Sequence, residues 1–456
     1  MRRALWIGVL AIPLLGTAAA VVALRPQRAW TSDSADAIAE VERGRQAETK
    51  LYKNEAMTHY EKAVELDATF TAAKLLLAGL LGGGDKQRIG TLLGDVRAAD
   101  LTRLTANEQF LIRYSLAKRD HQPAEAARVL AAHLAEHPRD ASALFARCTD
   151  LWLQPDWAQA ERCNHELLDL DANWVLAYNY LGYIAMAQAA FAEAEKNFLA
   201  YKYIAPDQAN PRDSLGELYT VTGRYDEAKA ELNEALRLRP DFCASYSHLL
   251  LVANLTRDGA LADDVIARAA GGGLCQPKQL EAMRCGVAQW KRIFAGDLDG
   301  AWTNMAGGCL GSSGDVPIVS HRVAVLSGRV DEAKAIEDRA RTHVKEALAS
   351  PEPGGEFLQA NLQHMEGVRA VVEGRTSDAV PLLEGADRKL VFGGEGQGVF
   401  KLINQLTLAE ALRASGAGER ADEIIAGVSA VNPRISEIAG DRSPLSLTRR
   451  GAATRR

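Results

Sequence analysis

Apolar residues recur at helical spacing along most of this chain, and the arrangement returns after thirty-four residues. In the segment 175–208, apolar residues such as Tyr178 and Leu181 mark one face of a first helix. A second amphipathic stretch follows and ends at Pro206, because proline lacks the N–H that would continue a helix. The segment 209–242 repeats this order. A fixed period of this length predicts stacked helical hairpins, each burying its apolar face against its neighbours.

The same period continues on both sides of these two units. A small residue recurs in the second helix of successive units, at Ala126, Ala160, Ala194, Ala228 and Ala262. Beyond residue 277 the period drifts, but a turn signature with glycine and a carboxylate persists at 296–301, 328–333 and 374–379. We therefore expect an all-α, superhelical solenoid of about ten antiparallel hairpins between residues 37 and 435.

The two central units resemble the tetratricopeptide repeat family, whose pattern runs from an aromatic through Leu-Gly, Tyr, Ala, an aromatic and Ala to Pro. The first unit carries Tyr178, Leu181, Gly182, Ala194, Phe198 and Pro206. The second carries Leu215, Gly216, Tyr219, Ala228, Ala235 and Pro240. The resemblance implies a non-enzymatic scaffold that holds protein partners.

Composition agrees with this fold and limits the partners. The chain is 47% hydrophobic and only 6% aromatic, and no segment alternates like a strand. Net charge is −6, but seven arginines lie at the two ends; without them, 46 basic residues face 59 acidic ones. A body with a net charge near −13 repels phosphate, so we expect no nucleic-acid binding.

The sequence also predicts where the units begin and end. The solenoid is expected at 37–350 and is most regular at 107–276. A Pro- and Gly-rich linker follows at 351–359, because neither residue continues a helix. Further hairpins are expected at 360–435, and a disordered basic tail at 436–456.

The N-terminal segment predicts a membrane anchor or an export signal. Residues 1–3 carry two arginines, residues 4–24 carry no charge, and residues 25–36 form a polar linker. Twenty-one helical residues reach about 32 Å, enough to cross a bilayer core of about 30 Å. We expect a single-pass protein of a bacterial inner membrane, with its repeats on the extracytoplasmic side. The alternative is a soluble exported protein whose signal peptide is cleaved.

Six cysteines permit fifteen complete pairings. Residues equidistant from the turn of an antiparallel hairpin lie side by side, and this rule selects three bonds within hairpins. The expected pairs are Cys148 with Cys163, Cys243 with Cys275, and Cys285 with Cys309. Such bonds persist in oxidising compartments. The alternative is six unlinked thiols that pack as small hydrophobic groups.

One literal catalytic motif occurs, and we expect no active site, metal or cofactor. His133, Glu136 and His137 spell HxxEH, which resembles the inverzincin signature and leaves a zinc peptidase as a remote alternative. The motif precedes Pro138 at a helix end and has no evident third ligand. Glycine runs at 82–84, 271–273 and 393–398 follow no strand, so we interpret them as loops.

The resemblance implies where a protein partner binds. In the family, first helices line the concave wall, and ligand peptides lie along it. The matching positions here are Phe145, Trp152, Leu176, Asn179, Tyr183, Met186, Asp213 and Glu217. These apolar and acidic groups suit an extended or helical segment with apolar and basic side chains. Alternatively, Phe145 and Trp152 only seal neighbouring helices.

Two functions from different classes therefore remain open. One is a scaffold or adaptor that gathers protein partners. The other is a sensory or regulatory domain that works with a separate signalling partner.

Overall fold

The computed structural model describes residues 29–81, 85–152, 156–271, 275–306, 318–350, 354–394, 396–435 and Leu447. Within these ranges the chain forms twenty-two α-helices and one short 3-10 helix, with no strand. The expected all-α solenoid is confirmed.

The helices follow one another with short connections. The first eight are α1 (Ala35–Thr49), α2 (Lys53–Leu66), α3 (Thr71–Leu80), α4 (Lys86–Ala98), α5 (Ala106–Arg119), α6 (Pro123–Glu136), α7 (Ala141–Trp152) and α8 (Trp157–Leu170). The next seven are α9 (Val175–Ala187), α10 (Phe191–Ile204), α11 (Asn210–Val221), α12 (Tyr225–Leu238), α13 (Cys243–Thr256), α14 (Gly259–Ala270) and α15 (Pro277–Phe294). The last seven are α16 (Leu298–Ala306), α17 (Ile318–Leu326), α18 (Val330–Ala349), α19 (Gly355–Val372), α20 (Thr376–Lys389), α21 (Gln397–Ala414) and α22 (Gly418–Val431).

Each odd-numbered helix packs against the next helix in the chain, which gives eleven hairpins in the described residues. The hairpin of α3 and α4 occupies the region where the sequence pattern is least regular, and the 3-10 helix Leu101–Arg103 follows it. Helix α19 begins at Gly355, within the linker expected at 351–359, and it packs against α18. Leu447, in the segment expected to be a disordered tail, is buried, and its backbone N–H donates to Glu410.

Glycine allows the two helices of a hairpin to cross closely. A Cβ added to Gly182 would lie 2.3 Å from the ring of Phe198, and one added to Gly216 would lie 2.5 Å from Leu232. The same relation joins Gly44 to Tyr60 and Gly367 to Leu383, always sixteen residues apart. The recurring glycine of the sequence pattern is therefore the contact point of the hairpin.

A side chain at this crossing is expected to destabilise the fold. Gly182→Ala should lower the free energy of unfolding by about 1–3 kcal/mol, because Phe198 has to move out of a packed core. Urea unfolding followed by circular dichroism measures the change. Gly94→Ala is the matched control, since no atom lies within 4 Å of its added Cβ. The control should be more stable by about 0.5–1 kcal/mol, and equal losses in both variants would contradict the crossing.

The N-terminal hairpin turns back to contact the middle of the solenoid. The backbone N–H of Ala209 donates to the hydroxyl of Tyr52 at 3.2 Å. Arg239 lies over the Tyr52 ring, 3.9 Å from its centroid, and donates to Glu55 at 2.5 Å. These contacts join positions more than 150 residues apart, so the superhelix closes on this side.

The C-terminal hairpins close the other side on the same central repeat. The buried side chain of Asn432 donates to the carbonyl of Val221 at 3.1 Å and contacts the Tyr225 hydroxyl. Phe392 meets Phe191 edge to face, with ring centroids 5.1 Å apart. Helix α11 is enclosed as a result, and all of its residues except Arg212 are buried.

The sequence predicted a single-pass membrane protein with extracytoplasmic repeats. The helices of the described ranges contradict this localisation. None of them is both long enough and apolar enough to cross a bilayer. The longest, Val330–Ala349, has twenty residues, but nine are charged and only one face is buried, so it packs as an amphipathic repeat helix. The span expected at residues 4–24 lies outside the described residues.

The structure brings two of the three expected cysteine pairs to bonding distance. Cys148 and Cys163 join α7 to α8, with Cα atoms 5.3 Å apart. Cys243 and Cys275 close the hairpin of α13 and α14, with Cα atoms 5.7 Å apart. Cys285 is also disulfide-bonded, whereas its expected partner Cys309 lies outside the described residues.

Candidate functional site

The closed superhelix surrounds a cavity of about 1250 Å³. Helices α5, α7, α9, α11 and α13 supply about half of the residues that line it. The connection between α1 and α2 also lines the cavity, as do Val391, Gly393, Gly394 and Gln397, which lie before and at the start of α21. Pockets for small molecules commonly measure about 300–1000 Å³, so this cavity has room for a larger occupant.

Aromatic side chains are concentrated in the cavity wall. Eleven of its residues are aromatic, namely Tyr52, Phe110, Tyr114, Phe145, Trp152, Trp157, Trp174, Tyr180, Tyr183, Phe242 and Phe357. Trp152 is central to this group, with ring centroids 5.2 Å from Trp157 and 5.7 Å from Tyr180. Since the whole chain is only 6% aromatic, the cavity is a marked concentration of rings.

Seven of the eight residues expected to bind a partner line this one cavity: Phe145, Trp152, Leu176, Asn179, Tyr183, Asp213 and Glu217. Met186 does not, because it is fully buried in the central core with Phe198 and Leu218. Its neighbour Ala187 lines the cavity instead. Phe145 and Trp152 contact other rings and also face the cavity.

Two carboxylates and an imidazole meet in the cavity wall. Asp213 and Glu217 are one turn apart on α11, and His248 extends from α13 between them. Its Nδ1 lies 3.0 Å from Asp213 Oδ1, and its Nε2 lies 3.2 Å from Glu217 Oε1. All three residues are less than 9% exposed. This buried group is called the Asp–Glu–His cluster below.

Neighbouring hydroxyls fix the two carboxylates. Ser245 donates to Asp213 at 2.6 Å, and Tyr183 donates to Glu217 at 2.5 Å. Burial, followed by the charges of Glu217 and Asp213, raises the pKa of Tyr183 well above its usual value. The phenol therefore keeps its proton and remains a donor.

His248 is the residue of this cluster that sequence reasoning missed. It lies thirty-five residues after Asp213, and Tyr183 lies thirty-four residues before Glu217. Such separations place side chains next to each other on successive first helices. A search of the sequence for polar pairs at one repeat length would therefore have found both contacts.

The carboxylates are less available to a basic partner than expected. Asp213 and Glu217 both pair with His248. The numbers of acidic and basic side chains that line the cavity are nearly equal. They comprise the acidic Glu48, Asp213, Glu217 and Asp241 and the basic Arg45, Lys53 and Arg239.

In the part of the chain that the structure describes, the HxxEH motif does not belong to a group of three side chains close enough to hold a metal ion. His133 Nε2 is 2.8 Å from Asp140, and its ring stacks on Phe110 with centroids 4.0 Å apart. His137 follows the last residue of α6. Across the described ranges, the group of three His, Cys, Asp or Glu side chains that is close enough to hold a metal ion is the Asp–Glu–His cluster.

A second buried polar group lies in the C-terminal hairpins. Glu337 on α18 accepts two bonds from Arg369, both 2.8 Å, and one from His321 at 2.8 Å. His364 on α19 lies 2.9 Å from Asn404 on α21. These residues line no part of the cavity, and they tie α17, α18, α19 and α21 together.

Comparison with known proteins agrees with the repeat architecture. The family model described as tetratricopeptide repeat matches residues 213–242. These residues hold α11 and α12, the hairpin that carries both carboxylates of the cluster. No curated protein matches the chain.

The chain also matches several solved structures at low identity. The apo form of the quorum sensor NprR from B. thuringiensis is 13% identical, with a TM-score of 0.39, over 81% of this chain and 99% of that one. The P58(IPK) TPR domain is 12% identical, with a TM-score of 0.22, over 86% and 99%. A chain of the Naa15/Naa10 structure bound to HypK-THB is 12% identical, with a TM-score of 0.29, over 72% of this chain and 64% of that one. The match thus spans less than two thirds of the length of that last chain.

Proposed function

We propose that this protein is a non-enzymatic interaction scaffold whose cavity binds a short segment of a protein partner. The observation that carries the proposal is the concentration of eleven aromatic side chains in one cavity of about 1250 Å³. Large rings supply much of the binding energy at protein interfaces, because they bury area at low entropic cost. The tetratricopeptide repeat match within the same wall supports this reading.

The chemistry of the wall describes the segment that fits. Phe145, Trp152 and Tyr180 present ring faces and edges that favour apolar or aromatic side chains. Polar groups such as Asn179 and Gln397 lie among them and are suited to the backbone of an extended or helical segment. The nearly balanced charge of the lining gives no strong preference for a basic partner.

The closure of the superhelix on itself also supports a second candidate function, a regulatory role. Asn432 joins the last hairpin to α11, and Tyr52 joins the first hairpin to the start of α11. An occupant that separates these walls would break both contacts, and binding would then be linked to opening of the superhelix. A separate signalling partner would then read the open or closed state.

Trp152→Ala is expected to weaken binding of a selected segment by at least about tenfold, since buried tryptophans commonly supply 2 kcal/mol or more at an interface. The segment comes from a displayed library of random peptides, selected on the full chain. Affinity is measured by fluorescence anisotropy of the labelled peptide. Tyr203→Ala is the matched control, because Tyr203 is an aromatic residue outside the cavity that is 88% exposed.

The two variants together decide the proposal. Loss of affinity in Trp152→Ala with unchanged affinity in Tyr203→Ala supports binding in the cavity. Unchanged affinity in Trp152→Ala, or selection of no peptide at all, would overturn it. Circular dichroism establishes that both variants remain folded.

A further inference from the structure

The Asp–Glu–His cluster has a donor set that the partner-binding role does not require. One imidazole nitrogen and two carboxylate oxygens, one from each of Asp213, Glu217 and His248, all lie within 4.8 Å of one another. All three side chains are buried, unlike the exposed ion pairs on the outer faces of the repeats. They also line the cavity, which gives an ion a route of entry.

The geometry points to a binding site for a divalent transition-metal ion of the Zn²⁺ class, formed by Asp213, Glu217 and His248. In an open metal site, three protein side chains bind the ion and at least one coordination position is left for water or a ligand. Here that position would face the cavity. This inference goes beyond the proposed function, because the ion binds whether or not a partner is present.

Charge balance favours a cation at this place. Two carboxylates with one imidazole leave net negative charge in a buried wall, and burying charge is costly even where hydrogen bonds offset part of it. Two basic residues of the lining have other partners: Arg239 donates to Glu55 and Asp241, and Arg45 donates to Ser142. A divalent ion would offset both carboxylates at once.

The ligand types select the class of metal. Ca²⁺ takes six to eight oxygen ligands, and Mg²⁺ keeps most of its waters. A set with one imidazole nitrogen and two carboxylates suits Zn²⁺ or Co²⁺ better than either. The hydroxyls of Ser245 and Tyr183 donate to the two carboxylates, as the outer-shell partners of metal ligands commonly do.

The test uses the full chain after removal of metal with a chelator, and no peptide. Isothermal titration with Zn²⁺ should show one equivalent bound in the micromolar range or tighter. Co²⁺ should give visible absorption bands of a protein-bound ion, which Zn²⁺ then abolishes. The double variant Asp213→Asn with Glu217→Gln keeps the shape and should lose at least about 100-fold in affinity.

A matched control comes from the two histidines of the HxxEH motif. The double variant His133→Ala with His137→Ala should bind Zn²⁺ like the parent, because these residues do not belong to the cluster. Ser245→Ala should weaken binding by about 10–100-fold through the loss of an outer-shell bond. If the carboxylate double variant fails to fold, the Zn²⁺ affinity of Ser245→Ala tests the site in its place.

Three outcomes would overturn the site: no Zn²⁺ binding by the parent chain, equal binding in the carboxylate variant, or loss of binding in the His133 and His137 control. The first would establish the cluster as an ion pair between His248 and the two carboxylates. Peptide binding in the preceding experiment is measured separately, so failure of the metal site leaves that result standing.

Discussion

Replacing Cys243 and Cys275 with serine is expected to lower the free energy of unfolding by about 3–4 kcal/mol. The bond closes a loop with a sequence separation of 32 residues, so its removal releases a large entropy in the unfolded chain. It also joins α13, which carries His248, to the segment just before α15. Urea unfolding of the two proteins, followed by circular dichroism, measures the difference.

The second disulfide provides the comparison. Cys148 and Cys163 are separated by only 15 residues, and replacing both should cost about 3 kcal/mol, less than the longer loop. A reducing agent should shift the parent protein in the same direction as the variants. Unchanged urea unfolding after reduction, together with free thiols at Cys243 and Cys275 in the native chain, would contradict the pairing.

Acidification from pH 7 to pH 4 is expected to destabilise the fold by about 3 kcal/mol through His364 alone. Burial, followed by the nearby charge of Arg322, lowers the pKa of His364 from 6.5 to about 3. The folded state therefore keeps a neutral imidazole, whereas the unfolded chain takes up a proton below its pKa of about 6.5. Stability is thus lost at about 1.4 kcal/mol per pH unit as pH falls from 6.5 towards 3.

Two neighbours shift stability in the same direction. Burial lowers the pKa of His321, so this residue also resists protonation in the fold. The pKa of Glu337 is lowered to about 2: burial raises it, but bonds from His321 and Arg369 outweigh burial. Its contribution is present above a pKa of about 4.5 and is lost as pH falls towards 2.

Urea unfolding between pH 7 and pH 4 measures the slope. His364→Gln should be less stable at pH 7 but should flatten the dependence on pH, since the amide does not titrate. His165→Gln, a change at an exposed position, should leave the slope unchanged. An equal slope in the parent and in His364→Gln would contradict the assignment to His364.

The hairpin and its internal contacts could be predicted from sequence because they are local. Gly182 and Phe198 are sixteen residues apart, and the same contact recurs in three other hairpins. The wall of the cavity follows from the same repetition, which is why Trp152 and Tyr183 lie on it. The equal distances of Cys243 and Cys275 from the turn of their hairpin likewise predicted their pairing.

The closure of the superhelix on itself could not be predicted from the repeat pattern. The curvature of a solenoid is the sum of small rotations between repeats, and no short pattern encodes that sum. The contact of Asn432 with Val221 spans 211 residues, and that of Tyr52 with Ala209 spans 157. Closure turns an open concave wall into a cavity, and Asp213 and Glu217 are buried in that wall.

The binding of a protein segment inside the cavity is the central claim, and photo-crosslinking tests it most directly. A peptide selected on the full chain carries a photo-reactive leucine at an apolar position, and mass spectrometry locates the residues to which it attaches. We expect attachment within the cavity wall, at residues such as Phe145, Trp152 and Tyr180. Attachment at outer residues such as Tyr203, with none in the wall, would contradict the account.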